Sequence, residues 1–266
     1  ELCSIEIGDP GSNGNEFEFD NSGNICLVSV INSDLFIGKY DSNCNQIKNI
    51  SIDSGLVDYN SFLEIDSNGD IFLGGTFGGL QFIGKYDSNL NHIKNVTLTS
   101  LPGKIFDINL DLNDNLYVGG TYGVGAHVAK YNSSLDQIWN FTQGTSVFTF
   151  GFKSLLIDSN NNLFAGGEYD GNPIIIYFNT TNGNEINNVS IVSGTNEEIN
   201  DIVFDNFGNI LARSDFNSFY TLSLLKYDSN LNHLENVTFL NYQSSGSIFV
   251  DSSDRIYLTT DFQTYG

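Results

Sequence analysis

The sequence predicts an all-β fold built from repeated four-stranded antiparallel units. Apolar residues alternate with a period of two throughout the chain, and turns such as Asn68-Gly69 separate the alternating segments. No ten-residue stretch shows helical periodicity, so we expect almost no helix. A marker aspartate also recurs at intervals of 46, 45, 47, 47 and 46 residues. These markers are Asp20, Asp66, Asp111, Asp158, Asp205 and Asp251.

Each unit contains up to four predicted strands, and the first of them ends directly before the marker aspartate. The first strands are Glu16–Phe19, Phe62–Ile65, Asp107–Leu110, Ser154–Ile157, Asp201–Phe204 and Ser247–Val250. The second strands are Ile25–Val30, Ile71–Thr76, Leu116–Thr121, Leu163–Glu168, Ile210–Asp215 and Ile256–Asp261. The third strands are Phe36–Tyr40, Phe82–Tyr86, His127–Tyr131, Ile174–Phe178 and Leu224–Tyr227. The fourth strands are Ile47–Ile52, Ile93–Leu98, Ile138–Thr142, Ile186–Ile191 and Leu234–Phe239.

Four antiparallel strands every 40 to 50 residues are typical of a β-propeller blade. Six markers therefore predict a single six-bladed β-propeller domain over residues 1–266. The last unit is incomplete, because the chain stops soon after Arg255–Asp261. Leu2–Ile7 has the spacing of a fourth strand relative to Asp20, so we expect it to close the last blade and remove an open sheet edge.

One strand of the last blade remains unassigned by the sequence. Three explanations stay open: the chain is trimmed at its end, the N-terminal strand pairs directly with Arg255–Asp261, or a neighbouring molecule inserts a strand. The third explanation would join chains into a polymer.

The net charge excludes one large class of partners. Only 10 Lys and Arg stand against 32 Asp and Glu, which gives a formal net charge of −22. This field repels nucleic acid and anionic lipid surfaces, and no apolar run is long enough to span a bilayer. The chain begins at Glu1 and lacks Met. We therefore expect a secreted chain, extracellular or at the cell surface, whose signal peptide has been removed; a domain excised from a longer chain is the alternative.

The repeated motif resembles a known group of repeats. An Asp-x-x-Gly-Asn type of turn precedes an aromatic-hydrophobic-Gly-Gly strand and then a strand ending in Lys-Tyr-Asp, as in Asp66–Thr76 with Phe82–Asp87. Asp111–Thr121 with Val128–Tyr131 repeats the pattern. This arrangement resembles the extracellular bacterial and archaeal propeller repeats abbreviated SBBP, although units one, five and six lack the Gly-Gly pair. The resemblance implies a secreted binding or structural module without common catalytic residues.

Asn-x-Ser/Thr sequons are the clearest chemical signal. They occur at Asn49, Asn95, Asn132, Asn140, Asn179, Asn188 and Asn236. Five of them occupy the same place in the fourth strands, whereas Asn132 and Asn179 lie in hairpin loops. Strand alternation puts Asn95 and Thr97 on one face and Val96 on the other, so we expect the asparagines to face solvent and carry glycans. The alternative is that Asn and Thr merely suit an exposed strand beside a turn.

The first strands are expected to line a central channel, and some of their residues are acidic. Glu18, Glu64 and Asn109 occupy one equivalent position in three neighbouring units, and Asp107 and Asp201 come one step earlier in their strands. Such a lining can hold a cation or a basic group, and paired carboxylates can perform acid–base catalysis. A solvated channel mouth with ordered water is the alternative.

The cysteines and the Asp-rich turns give weaker signals. Cys26 falls mid-strand and is expected in the core, whereas Cys3 and Cys44 lie on outer elements and are a possible disulfide pair. The run Asp66–Asp70 is predicted to be a turn, because it lacks the Gly at position six and the Glu at position twelve of a calcium loop. The Gly-Gly pair at Gly74 predicts close packing between units instead of a cofactor loop.

The sequence therefore predicts a secreted, N-glycosylated, non-catalytic β-propeller with a structural or adhesive role, without cofactor or metal. A specific form is the repeating subunit of an extracellular filament or coat. Its expected partners are copies of itself, or other surface proteins and glycans. The alternatives are a lectin-like carbohydrate-binding module and a lyase or glycan hydrolase with its site at the channel mouth.

Overall fold

A computed structural model describes residues 4–5, 16–53, 59–98, 102–144, 151–169, 171–191, 198–216, 221–240 and 246–259. These residues form 22 strands, and none of them lies in a helix. Within the same ranges, no helix is long and apolar enough to cross a membrane.

The strands follow one another in groups that match the sequence repeat. The first group is β1 (Glu16–Phe19), β2 (Ile25–Ile31), β3 (Asp34–Tyr40) and β4 (Gln46–Ile52). The second is β5 (Tyr59–Ile65), β6 (Ile71–Phe77), β7 (Leu80–Tyr86) and β8 (His92–Leu98). The third is β9 (Gly103–Leu110), β10 (Leu116–Tyr122), β11 (Gly125–Tyr131) and β12 (Gln137–Gln143). The fourth is β13 (Gly151–Ile157), β14 (Leu163–Tyr169), β15 (Asn172–Phe178) and β16 (Glu185–Ser190). The fifth is β17 (Glu198–Phe204), β18 (Ile210–Phe216), β19 (Thr221–Tyr227) and β20 (His233–Leu240), and the sixth is β21 (Ile248–Val250) with β22 (Ile256–Leu258).

Each of the first five groups forms its own four-stranded sheet, in which strands that are consecutive in sequence are neighbours. β21 and β22 form a two-stranded sheet within the described part of the chain. Every strand pair whose register is known is antiparallel, as between β6 and β7, where Ile71 pairs with Tyr86. The predicted four-stranded antiparallel units are therefore confirmed.

The chain divides into two compact units. The first contains Glu1–Val118 and Lys130–Gln137, and the second contains Gly119–Ala129 and Ile138–Gly266. In the first unit, β1, β5 and β9 pack beside one another; in the second, β13, β17 and β21 do so. Successive sheets in each unit thus meet along their first strands.

The first strands β5, β9, β13 and β17 begin earlier than the sequence pattern predicts, whereas β1 begins at the predicted Glu16. β5 starts at Tyr59 instead of Phe62, and its pairing with β6 shifts register between Tyr59 and Ser61. The same shift occurs in β13 between Phe152 and Ser154. A β-bulge interrupts the two-residue alternation, because two residues on one strand oppose a single residue on the other. The alternation therefore identifies only the segment after the bulge.

The second and third strands supply most of the core. All residues of β6 up to Thr76 are buried, as are those of β7 from Gln81 onward. A glycine in β6 shows how closely the next sheet approaches. A Cβ on Gly74 would lie 2.5 Å from Cγ2 of Ile108, in the first strand of the next repeat. Close packing between neighbouring sheets therefore explains the glycine at position 74, as predicted.

Part of the predicted ring closure lies outside the described residues. Only Ser4 and Ile5 of the predicted closing strand Leu2–Ile7 are described, and the prediction for Arg255–Asp261 is covered up to Thr259. The count of six blades, the closure by the N-terminal strand and the assignment of residues 1–266 to one domain stay predictions.

Candidate functional site

The marker aspartates hold the turns that follow the first strands. Asp66 Oδ1 accepts hydrogen bonds from the backbone N–H groups of Asn68 at 2.9 Å and Asp70 at 2.8 Å. The same pair of bonds forms at the five other markers, Asp20, Asp111, Asp158, Asp205 and Asp251. These oxygens are thus used by the local backbone. Within the described ranges, no group of three His, Cys, Asp or Glu residues has the arrangement of a metal site.

The lysine of the Lys-Tyr-Asp strand end links the marker turn to the next repeat. Lys85 Nζ lies 3.2 Å from Asp66 Oδ2 and 3.0 Å from Asp70 Oδ2, and it donates to the Ser133 carbonyl at 2.9 Å. It also stands 4.6 Å from the centre of the Phe72 ring, a cation–π distance. Equivalent ion pairs join Lys39 to Asp20, Lys130 to Asp111 and Lys226 to Asp205. The motif that carries the family resemblance is therefore structural.

The fourth repeat replaces this lysine with an aromatic residue. Tyr177 stacks on Phe164 with ring centroids 4.8 Å apart, and its hydroxyl donates to Asn162 Oδ1 at 2.8 Å. Asn162 in turn donates to the marker Asp158. The tyrosine hydroxyl thus reaches the marker turn through Asn162, so the missing lysine leaves the turn supported.

Hydrogen bonding also controls the ionisation of one marker carboxylate. Burial alone would raise the pKa of Asp20, but hydrogen bonds from Lys39 and Asn24 outweigh it and bring the pKa to about 2. This carboxylate is therefore charged over the physiological pH range.

Polar residues four positions before the marker aspartate connect neighbouring first strands. Glu16 Oε2 accepts the Leu63 N–H at 2.6 Å, and Asp201 Oδ2 accepts the Ile248 N–H at 2.8 Å. Ser154 Oγ accepts the Ile202 N–H at 3.3 Å. Asp201, predicted as a channel ligand, is thus bonded within the protein. The repeat position of these residues is a signal that the sequence analysis missed.

A group of carboxyl side chains lies on the first strands of the first unit. Burial, together with the nearby charges of Glu18, Asp107 and Glu16, raises the pKa of Glu64 to about 9. Burial likewise raises the pKa of Glu16 and of Glu18, against hydrogen bonds from Leu63 and Ile65 respectively. Glu64 is therefore protonated at neutral pH. We call Glu16, Glu18, Glu64 and Asp107 the carboxyl cluster.

The structure brings together three of the five predicted channel residues. Glu18, Glu64 and Asp107 interact electrostatically within the carboxyl cluster. Asn109 lies half-buried on the same strand as Asp107, and Asp201 belongs to the second unit. Glu16 is a member of the cluster that the sequence analysis did not identify.

The seven sequon asparagines fall into two structural groups. The five in fourth strands are exposed: Asn49, Asn95, Asn140, Asn188 and Asn236. Asn132 and Asn179 are half-buried in hairpin turns. Asn132 Oδ1 accepts the backbone N–H groups of Ser134 at 3.0 Å and Asp136 at 2.8 Å. Asn179 Oδ1 accepts the Thr181 N–H at 2.9 Å. These two asparagines therefore accept the backbone hydrogen bonds that aspartates accept in the equivalent turns of other repeats.

The cysteines differ in state. Cys26 is free and buried in the core, as expected, and burial raises the pKa of its thiol to about 11. Cys44 is disulfide-bonded. Cys3 lies outside the described residues, so the pairing of Cys3 with Cys44 stays a prediction.

Comparisons with known proteins support the fold and leave the family open. No protein-family model matches the chain, and no curated protein matches it. Virginiamycin B lyase from Staphylococcus aureus, in a catalytically inactive form with quinupristin, is similar in structure with a TM-score of 0.67. The identity is 12%, and the match covers 91% of this chain and 76% of that chain.

Two further structures show the same likeness. A protein of unknown function from Bacteroides caccae matches with a TM-score of 0.56 and 12% identity, over 87% of this chain and 83% of that chain. The Dos1 propeller matches with a TM-score of 0.58 and 12% identity, over 82% of this chain and 56% of that chain. The chain is therefore an all-β protein of the β-propeller class. The finer resemblance to SBBP repeats stays a prediction.

Proposed function

We propose that this protein is a secreted, N-glycosylated and non-catalytic β-propeller with a structural or adhesive role at the cell surface. The observation that carries the proposal is the set of five exposed sequon asparagines in five successive fourth strands. Packing does not require asparagine at an exposed strand position, since most polar residues are tolerated there. A repeated sequon at such a position supports a repeated modification.

The disulfide supports secretion independently of the sequons. Disulfide bonds persist in oxidising compartments and are rare in the cytosol. Cys44 is disulfide-bonded. The formal net charge of −22 makes molecules of this protein repel one another, which favours solubility and opposes nonspecific aggregation.

Self-association through the sixth group of strands is the specific form of this role. Phe249 is 63% exposed, and Ile256 and Tyr257 in β22 are also exposed. A strand from a neighbouring molecule, added beside β22, would extend this short sheet by β-augmentation. Repetition of that contact would build a filament or coat.

Intact-mass and size measurements on protein from its native source test the proposal. We expect species heavier than the 29.3 kDa chain by the mass of several glycans, and particles larger than one molecule. A single species at the mass of the unmodified chain would overturn the glycosylation. Glycosylated molecules that run as monomers at all concentrations would overturn self-association alone.

Catalysis on a carbohydrate is the second candidate, favoured by the carboxyl cluster. A carboxyl group that is protonated at neutral pH is suited to general acid catalysis, and Glu64 has this property beside ionisable neighbours. Reducing-end and unsaturated-product assays on a polysaccharide panel test this candidate. Turnover lost in Glu64→Gln and retained in Glu235→Gln would support it, and no turnover by the parent protein would exclude the panel as substrates.

A further inference from the structure

Two open grooves lie beside sequon asparagines in the second unit. The larger has a volume of about 390 Å³ and is lined by Leu225 and Tyr227 of β19, Asn236 and Thr238 of β20, and Ile191. A water molecule takes up only about 30 Å³ in the liquid, so the groove has room for a much larger group. Its lining combines an apolar floor with the side chains of the sequon itself.

The smaller groove has the same construction one repeat earlier. Its volume is about 230 Å³, and its lining includes Ile174 and Ile176 of β15 with Asn188 and Ser190 of β16. Asn188 pairs with Ile176, just as Asn236 pairs with Leu225. Directly paired residues of antiparallel strands project from the same face of the sheet. Asn188 and Asn236 therefore each lie on the same face of their sheet as the apolar side chain that forms part of the groove.

A repeated bulge adds exposed apolar surface beside the sequons. In the fifth sheet Lys226 pairs with Glu235 and Tyr227 pairs with His233, so Leu234 has no directly paired partner. The equivalent shift occurs in the first, second and fourth sheets. A large exposed apolar side chain precedes the sequon asparagine by two residues in all five fourth strands: Ile47, Ile93, Ile138, Ile186 and Leu234.

We propose that the linking sugars of the glycans on Asn188 and Asn236 bind into these grooves on their own sheets. The proposal rests on the proposed glycosylation and assigns the glycans a structural role. A pyranose ring presents C–H groups on one face and hydroxyl groups at its rim. The C–H face would cover the half-buried Ile191 and the small exposed parts of Leu225 and Tyr227, and the rim would remain hydrated. The glycan is the chosen occupant because its attachment atom, Asn236 Nδ2, belongs to a residue of the groove lining.

His233 offers a variant that alters the wall of the groove at an exposed position. It is exposed, lines the larger groove, and lies edge-on to Tyr227 with ring centroids 5.5 Å apart. Glu235 is the matched control, because it is exposed on the same strand and pairs with Lys226, a position that alternates away from Asn236. Asn236→Gln removes the glycan, and this substitution is made in three proteins: the parent, His233→Ala and Glu235→Ala.

The measured quantity is the unfolding equilibrium constant of each glycosylated protein relative to its Asn236→Gln partner. We expect the glycan to lower this constant about five-fold in the parent and in Glu235→Ala, the effect of covering roughly 40 Å² of apolar surface. The effect should fall to about two-fold in His233→Ala, which lacks part of the groove wall. Nuclear Overhauser contacts between the linking sugar and the half-buried Ile191 side chain should accompany it.

Two results would overturn the inference, and they are distinguishable. An Asn236 peptide without a glycan mass contradicts the proposed modification and, with it, the inference. A glycosylated Asn236 with equal glycan effects in all three backgrounds, and without sugar–Ile191 contacts, contradicts the groove binding alone.

Discussion

Asn95 and Asn132 stand in the same kind of sequon, but the structure places them in opposite situations. Asn132 is held in a hairpin turn by two backbone N–H groups, whereas Asn95 is exposed on β8. The turn positions repeat because the backbone requires an acceptor there, which Asp87 supplies in the preceding repeat. The strand positions repeat without such a requirement. A repeated residue therefore does not by itself indicate function, because the backbone can require it. A residue that repeats at a position where the structure does not require it is the stronger indication of function.

The largest expected loss of stability comes from replacing a lysine that supports a marker turn, compared with replacing a lysine of a fourth strand. Lys85→Met leaves Asp66 and Asp70 without their cation in a buried site, so unfolding should become easier by about 3 kcal/mol. Lys94→Met removes an exposed ion pair with Asp136 and should change the urea midpoint little. Equal shifts of the two urea midpoints would contradict the structural role of the turn lysine.

A second effect is expected in the carboxyl cluster and depends on pH. The folded-state pKa of Glu64, about 9, lies above the unfolded value of 4.5, so the folded state holds an extra proton between these values. Stability from this group is complete below pH 4.5 and decreases as the pH rises towards 9. Glu64→Gln cannot ionise, so it should equal the parent at pH 4, and its advantage in stability over the parent should grow as the pH rises to 8.

Denaturation curves at pH 4, 6 and 8 measure this difference. Glu235→Gln, a change of an exposed carboxylate, is the control and should follow the parent at each pH. A Glu64→Gln variant whose advantage is constant across the three pH values would contradict the raised pKa.

The smallest expected loss of stability comes from replacing a turn asparagine, and it tests the difference between turn and strand sequons. In protein made by a host without N-glycosylation, Asn132→Ala removes the acceptor of two backbone N–H groups and should cost about 1 kcal/mol. Asn95→Ala removes an exposed strand side chain and should stay within about 0.5 kcal/mol of the parent. Thermal unfolding of the two variants measures the difference. A larger loss in Asn95→Ala would show that packing explains the strand asparagine.

The sequence predicted the repeat and the four-stranded sheets because alternation and turn residues are local signals. It missed the early part of β5, because the bulge near Tyr59 breaks the alternation. It also did not predict that Asp201 accepts the Ile248 N–H, from a residue 47 positions away. Contacts between first strands depend on how neighbouring sheets meet, which no local pattern contains. The exposure of Asn95 was predictable from alternation, whereas the grooves beside Asn188 and Asn236 depend on side chains from two strands.

Site-resolved glycopeptide mass spectrometry of the native protein tests the central claim most directly. The account predicts glycan mass on the five exposed strand asparagines, and low occupancy on Asn132 and Asn179, whose side chains hold their turns. Unmodified Asn95 and Asn236 peptides, or occupancy concentrated on Asn132 and Asn179, would contradict it.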